Sequence, residues 1–133
     1  MLRTVGLPIP SELARLWLVI IIREPIALDI IRAEHNHFFG RMVKIVVDTE
    51  LFVVAADAEL HSDLEQLLLQ NGSQQQNIWG ANVYFEGPIL IEFTSLINIR
   101  PAQGNKSMEV KDELIRQQME AIVLKLMPQS KNL

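Results

Sequence analysis

The sequence contains no cysteine. That absence excludes thiol catalysis, disulfide scaffolding and thiolate zinc sites. A membrane-length apolar run is missing too. The longest strongly apolar stretch is Leu16 to Ile22, far short of the ~20 residues a spanning helix needs. The same region makes a poor signal peptide, because Pro8, Pro10, Glu12 and Arg15 interrupt it and no small-residue cleavage site follows. Positive charge is not in excess: the formal net charge is -4. That argues against general nucleic-acid binding, which needs a basic field, though not against a local basic patch. There is no glycine-rich dinucleotide fingerprint, no nucleophile-elbow serine and no solenoid-type repeat. A membrane location is not expected, and the cytoplasm is the default compartment.

What is present suits one domain. The chain has 133 residues, 49% of them hydrophobic, and a domain of this size buries about two-thirds of its unfolded surface. Trp17 to Ile22 is rich in β-branched residues, which lose rotamer freedom in a helix and pack well on a sheet, so it reads as a buried strand. Pro25 suits a first helical turn. Ile26, Ile30, Ile31 and Phe38 near helical spacing then predict a helix over 26–38. Met42 to Asp48 and Leu51 to Asp57 read as a central, covered hairpin turning at Thr49-Glu50. Ser62-Asp63-Leu64-Glu65 has the form of a capping box and predicts a helix start with Ser62 as its cap. Asn71-Gly72 stops that helix.

Trp79 to Phe85 and Ile89 to Arg100 predict a second hairpin. Ala81, Val83 and Phe85 share one face, and Asn82, Tyr84, Glu92, Thr94, Asn98 and Arg100 the other. From Met108 to Met127 the repeat of Ile115, Met119, Ile122 and Leu126 marks an amphipathic helix. Asp112 and Glu113 in its first turns and Lys125 near its end suit the helix dipole. Tight hairpins make antiparallel pairs. The expected fold is therefore α+β, a mainly antiparallel sheet of four to five strands with a long C-terminal helix packed on one face. The expected organisation is an N-terminal arm or extension over 1–15, a single domain over 16–128 and a frayed tail over 129–133.

Several stretches together carry a resemblance. They are Arg23-Glu24-Pro25, Met42-Val43-Lys44-Ile45-Val46-Val47-Asp48, Glu59-Leu60-His61-Ser62-Asp63-Leu64-Glu65, Gly72-Ser73, Trp79-Gly80-Ala81-Asn82, and Ile97-Asn98-Ile99-Arg100-Pro101 with Asn105 and Ser107 following. Their order and spacing over roughly residues 18–127 resemble a family of small bacterial proteins of unknown function, frequent in cyanobacteria. The resemblance implies a single-domain bacterial protein. It brings no catalytic residue, cofactor or partner with it.

Two segments carry the most chemistry. The first holds Asp57, Glu59, His61, Asp63 and Glu65. Asp57, Glu59 and His61 on one side of an extended strand would suit a divalent metal such as Mn²⁺ or Zn²⁺, and Glu59 with His61 would suit acid/base catalysis. Helix capping and dipole effects account for Ser62, Asp63 and Glu65, which leaves Glu59 and His61 without a ready structural reason. The second segment runs from Arg100 to Ser107, between a strand end and a helix start. Arg100, Asn105, Lys106 and Ser107 are candidates for binding a small anionic ligand. Gly104-Asn105-Lys106-Ser107 echoes a phosphate-binding loop, but the first glycine is absent and Asn105 separates glycine from lysine, so nucleotide hydrolysis is rejected. Trp79 reads as core, and His35 and His37 as surface residues.

Two functions follow. One is a non-enzymatic binding or assembly module, forming a homo-oligomer through an edge strand or the N-terminal arm. The other is a small metal- or acid/base-dependent enzyme centred on Glu59 and His61, with Arg100 and Asn105 holding an anionic substrate. The second requires the 57–65 segment to meet the 100–107 loop, with Glu59 or His61 at Arg100.

Overall fold

The computed structural model describes residues 17–87 and 90–129. The expected arm over 1–15 and all but the first residue of the expected tail lie outside them. The chain runs β1 (Ile20–Ile22), α1 (Leu28–Glu34), β2 (Met42–Asp48), β3 (Val53–Ala56), α2 (His61–Gln70), β4 (Ile78–Tyr84), β5 (Ile91–Glu92) and α3 (Glu113–Leu126). The five strands form one sheet in the order β1-β3-β2-β4-β5, and every neighbouring pair is antiparallel. This is the α+β fold that the apolar patterning implied.

Strand alternation divides the core in two. Val43, Ile45, Val47, Val54, Ala56, Trp79, Ala81 and Val83 face one way, into a cluster completed by Leu28 and Ile31 of α1 and by Met119, Ile122, Val123 and Leu126 of α3. Ile115 packs half-buried against the same cluster, so the face read from the i, i+4 repeat is the buried one. Val46, Val53, Ala55 and Ile78 face the other way, against Leu64 and Leu68 of α2. A sheet covered on both faces needs apolar residues on both, which is why β2 and β3 read as mostly apolar runs.

Several boundaries differ from the sequence expectation, each for a local reason. The Trp17 to Ile22 run supplies a short, half-buried edge strand rather than the buried strand expected. Only Ile22 of β1 is buried. α1 begins at Leu28, because the backbone before it is tied to the end of α3: the N–H groups of Ile26 and Leu28 donate to the carbonyls of Leu126, the last residue of α3, and of Pro128 (2.9 and 2.7 Å). α2 begins at His61, with Leu60 as N-cap and no side-chain cap. Ser62 lies exposed in the first turn, so the expected capping box is not formed. α3 starts at Glu113, capped by Asp112, whose Oδ1 accepts from the N–H groups of Leu114 and Ile115 (2.9 and 3.4 Å). The residues expected to open that helix earlier are paired elsewhere: Val110 N–H donates to the Phe93 carbonyl (3.0 Å).

The largest departure is the strand expected over 89–100, of which only Ile91–Glu92 pairs with β4. Beyond it the chain leaves the ladder, and Asn98 takes the place of a strand. Its Oδ1 accepts from Gly80 N–H (2.8 Å), and its Nδ2 donates to the carbonyls of Gly80 and Met108 (both 3.0 Å). Asn98 is fully buried. Gly80 is required beneath it, since a Cβ there would stand 2.6 Å from Ser95 Cβ and 2.8 Å from Ser95 Oγ.

The β2–β3 turn is held by buried Asp48. Its Oδ1 accepts from the N–H groups of Glu50 and Leu51 (both 2.8 Å), and its Oδ2 accepts from Ser73 Oγ (2.5 Å). Phe52 N–H then closes onto the Asp48 carbonyl (3.0 Å), which leaves Phe52 at φ +57.

Two stability predictions follow from this packing. Ile122→Ala removes a buried aliphatic side chain and is expected to lower stability by about 2–5 kcal/mol. Gly80→Ala forces a methyl group into Ser95 and is expected to cost about 1–3 kcal/mol. Urea denaturation of each variant measures both. A loss below about 0.5 kcal/mol at either position would contradict the packing described.

Candidate functional site

The two polar segments singled out in the sequence meet, through a residue pair different from the expected one. Arg100 Nη2 contacts Glu65 Oε2 at 3.2 Å. The same guanidinium donates from Nε to the Ile97 carbonyl (3.0 Å) and from Nη1 to the Gln75 carbonyl. Its cationic carbon lies 4.7 Å from the centre of the Trp79 ring. Burial lowers the Arg100 pKa, and Glu65 works against that shift. Every donor group of Arg100 is thereby engaged in joining the loop to α2 and the sheet.

Asn105 is likewise committed. It is buried, with Nδ2 within hydrogen-bond distance of the carbonyls of Asn98, Ser107 and Glu109 (2.7, 2.9 and 2.9 Å) and Oδ1 accepting from Lys111 N–H (3.0 Å). Ser107 Oγ accepts from Glu109 N–H (3.1 Å), and Lys106 is exposed. The 100–107 loop is thus internally satisfied, and its two best candidate ligand-binding side chains serve as structure.

The residues of the first segment diverge. Asp57 is buried, adopts φ +73, and turns to His37. It accepts from His37 N–H (2.9 Å) through Oδ1 and from the ring Nδ1 through Oδ2. Glu59 is exposed. His61 reaches the Ala81 carbonyl through Nε2 (2.8 Å). Among the described residues no three His, Asp or Glu side chains come together as a metal ion would require, so Asp57, Glu59 and His61 do not form the metal set their spacing suggested. The carboxylate-oriented imidazole of this protein is His37, which the helical reading placed on a bare surface. α1 ends before it, and no sequence signal marks the long-range pairing.

His61 stands at the start of α2, against β4. There the strand register aligns Lys44, Asn82 and Glu92 across β2, β4 and β5. Asn82 Nδ2 and the Tyr84 hydroxyl both donate to Glu92 Oε1 (2.9 and 3.1 Å). Lys44 Nζ lies 5.1 Å from the centre of the Phe39 ring and has no carboxylate partner among the described residues. A cleft of about 350 Å³ opens here, lined by Lys44, His61 and Thr94 and edged by Leu60, Leu96 and Met108. These three apolar side chains are 45%, 71% and 43% exposed.

The comparison with known families is decisive about kinship. A family model described as Protein of unknown function (DUF5674) matches residues 20–126. The chain belongs to this family. Its match spans the structured unit from β1 to the last residue of α3. Neither a curated protein nor a solved structure is significantly similar to the chain. Among the described residues no helix is long and apolar enough to cross a membrane. Family membership leaves the activity undefined, so the reading of the cleft rests on its chemistry.

Burial pushes the His61 pKa down from 6.5 to about 4. At neutral pH the ring is therefore uncharged. Its Nε2 donates to Ala81, which leaves Nδ1 as the ring's acceptor. The pH dependence has a definite sign. Between about pH 6.5 and about 4 the unfolded chain binds the proton and the folded one does not, so stability falls as pH falls through that window. The expected contribution is of order 3 kcal/mol. Urea midpoints measured across the window should show this slope, and His61→Gln should flatten it. An unchanged slope in the variant would place the titration elsewhere.

Proposed function

We propose that the protein is a binding module for a small amphiphilic anion, held in the cleft between the start of α2 and the 94–108 loop. One observation carries this reading. Three exposed apolar side chains, Leu60, Leu96 and Met108, border a cleft that is also lined by Lys44. Apolar groups of this size are normally buried, and their convergence on a concave surface marks a place where something else covers them. Lys44 would take the acidic head and the apolar rim the body of the ligand. The N-terminal end of α2 adds partial positive charge to the same end of the cleft. His61 is neutral at pH 7 and supplies a hydrogen-bonding ring rather than a charge.

Binding is preferred to catalysis for two reasons. Of the expected acid/base pair, Glu59 is exposed and His61 bonds through Nε2 to the Ala81 carbonyl. Arg100, expected to hold an anionic substrate, is held by Glu65 and by backbone carbonyls.

Decanoate is a suitable probe, with decanol as the uncharged control of equal chain length. Titration followed by amide NMR is expected to give saturable shifts at His61, Ser62, Leu96 and Met108. Lys44→Met should weaken decanoate binding about tenfold, the value of one charge-assisted contact, and leave decanol binding unchanged. Non-saturating shifts, or equal decanoate affinity in Lys44→Met, would refute the reading.

A further inference from the structure

A second cleft, of about 630 Å³, opens on the side of the sheet that α3 covers, between the end of β1, the β2–β3 turn and the last turns of α3. Arg23 and Lys125 line it, together with Glu24, Gln118 and Phe52. None of its three charged groups forms an ion pair among the described residues.

Phe52 is the unusual member. It is 64% exposed and lies at φ +57. A bulky side chain in the left-handed region is an outlier, and glycine would occupy that position without strain. Asp48 imposes the conformation by gathering the N–H groups of Glu50 and Leu51 and accepting Phe52 N–H at its carbonyl. Folding therefore requires the backbone angle and not the phenyl ring, which joins neither apolar cluster. Strained backbone of this kind gathers at ligand-holding positions.

We infer that this cleft binds a nucleoside monophosphate, with its base stacked on Phe52 and its phosphate between Arg23 and Lys125. An exposed ring stacks on any base. A guanidinium fork with an ammonium point charge is a phosphate-binding pair. Glu24 is placed to accept from ribose hydroxyls or an exocyclic amino group, and the volume is in the range of small-molecule sites. The C-terminal end of α3 carries partial negative charge that opposes a phosphate. The backbone bonds from Ile26 and Leu28 to the Leu126 and Pro128 carbonyls reduce that opposition. The sheet lies between this cleft and the one that holds Lys44.

The test uses the full chain, with AMP as probe and calorimetry at low salt as readout. Saturable AMP binding is expected, with ribose 5-phosphate and adenosine each at least about tenfold weaker. Phe52→Gly and Phe52→Leu should each weaken AMP binding about tenfold, and Phe52→Tyr should retain it. Phe52→Gly should also raise the melting temperature, because it removes the strain together with the ring. Arg23→Gln with Lys125→Gln should remove the salt dependence of binding. Lys44→Met should leave AMP binding unchanged, which separates this site from the decanoate cleft. Absence of saturable binding at millimolar AMP, or wild-type affinity in Phe52→Leu, would overturn the inference.

Discussion

The contact between Asn98 and Gly80 is the constraint from which much of this structure follows. A strand at that point in the sheet would pair with β4 through its own backbone. Here one side-chain amide supplies both the acceptor and the donor that Gly80 needs, so the backbone after β5 is free to leave the ladder. It crosses the second face of the sheet as a folded loop, closed by the bridges between Thr94 and Glu109 and between Arg100 and Asn105. A polar group buried this deeply is costly unless satisfied, and Asn98 is satisfied at both ends. That loop carries Leu96 and Met108 to the rim of the Lys44 cleft and brings Arg100 onto Glu65.

Much of the fold was legible because it rests on periodicity. The spacing of Ile115, Met119, Ile122 and Leu126 identified the buried face of α3, and the two apolar runs at Met42 and Leu51 identified a covered hairpin. The order of strands and helices followed from turn chemistry and length. What was not legible depended on single long-range side-chain contacts. Nothing in the alternation of Ile89 to Arg100 announces that Asn98 will serve as a strand's substitute. Likewise, Ser62 and Glu65 have capping-box spacing, yet Glu65 is drawn to a guanidinium thirty-five positions away.

The candidate site shows the same division. The two segments that the sequence singled out do meet, at Arg100 and Glu65. It could not say which carboxylate would meet Arg100, because that depends on where α2 begins, and a shift of one residue turns its side chains by about 100°. Asp57 in the left-handed region and its pairing with His37 lay beyond any local pattern. Lys44 drew no notice as a site residue because a single charge in an apolar strand looks like an edge residue. Only the register with Asn82 and Glu92 groups it with the other polar side chains of that face.

The hydrogen bonds from Ile26 and Leu28 to Leu126 and Pro128 join the beginning of the fold to its end, and they bear on how the protein is made. On the ribosome, β1 can pair with β3 as soon as residue 56 is free, but the N–H groups of Ile26 and Leu28 remain without these partners until residue 128 has cleared the exit tunnel. The α3 side of the core, with Met119 and Ile122, is missing for the same interval. Closure of such sequence-distant contacts is slow compared with local helix formation. Until α3 is made, the sheet face that holds Val43, Ile45, Val47 and Val54 lacks its cover. That makes the ribosome-bound stage, rather than the finished fold, the stage at which it most needs a chaperone.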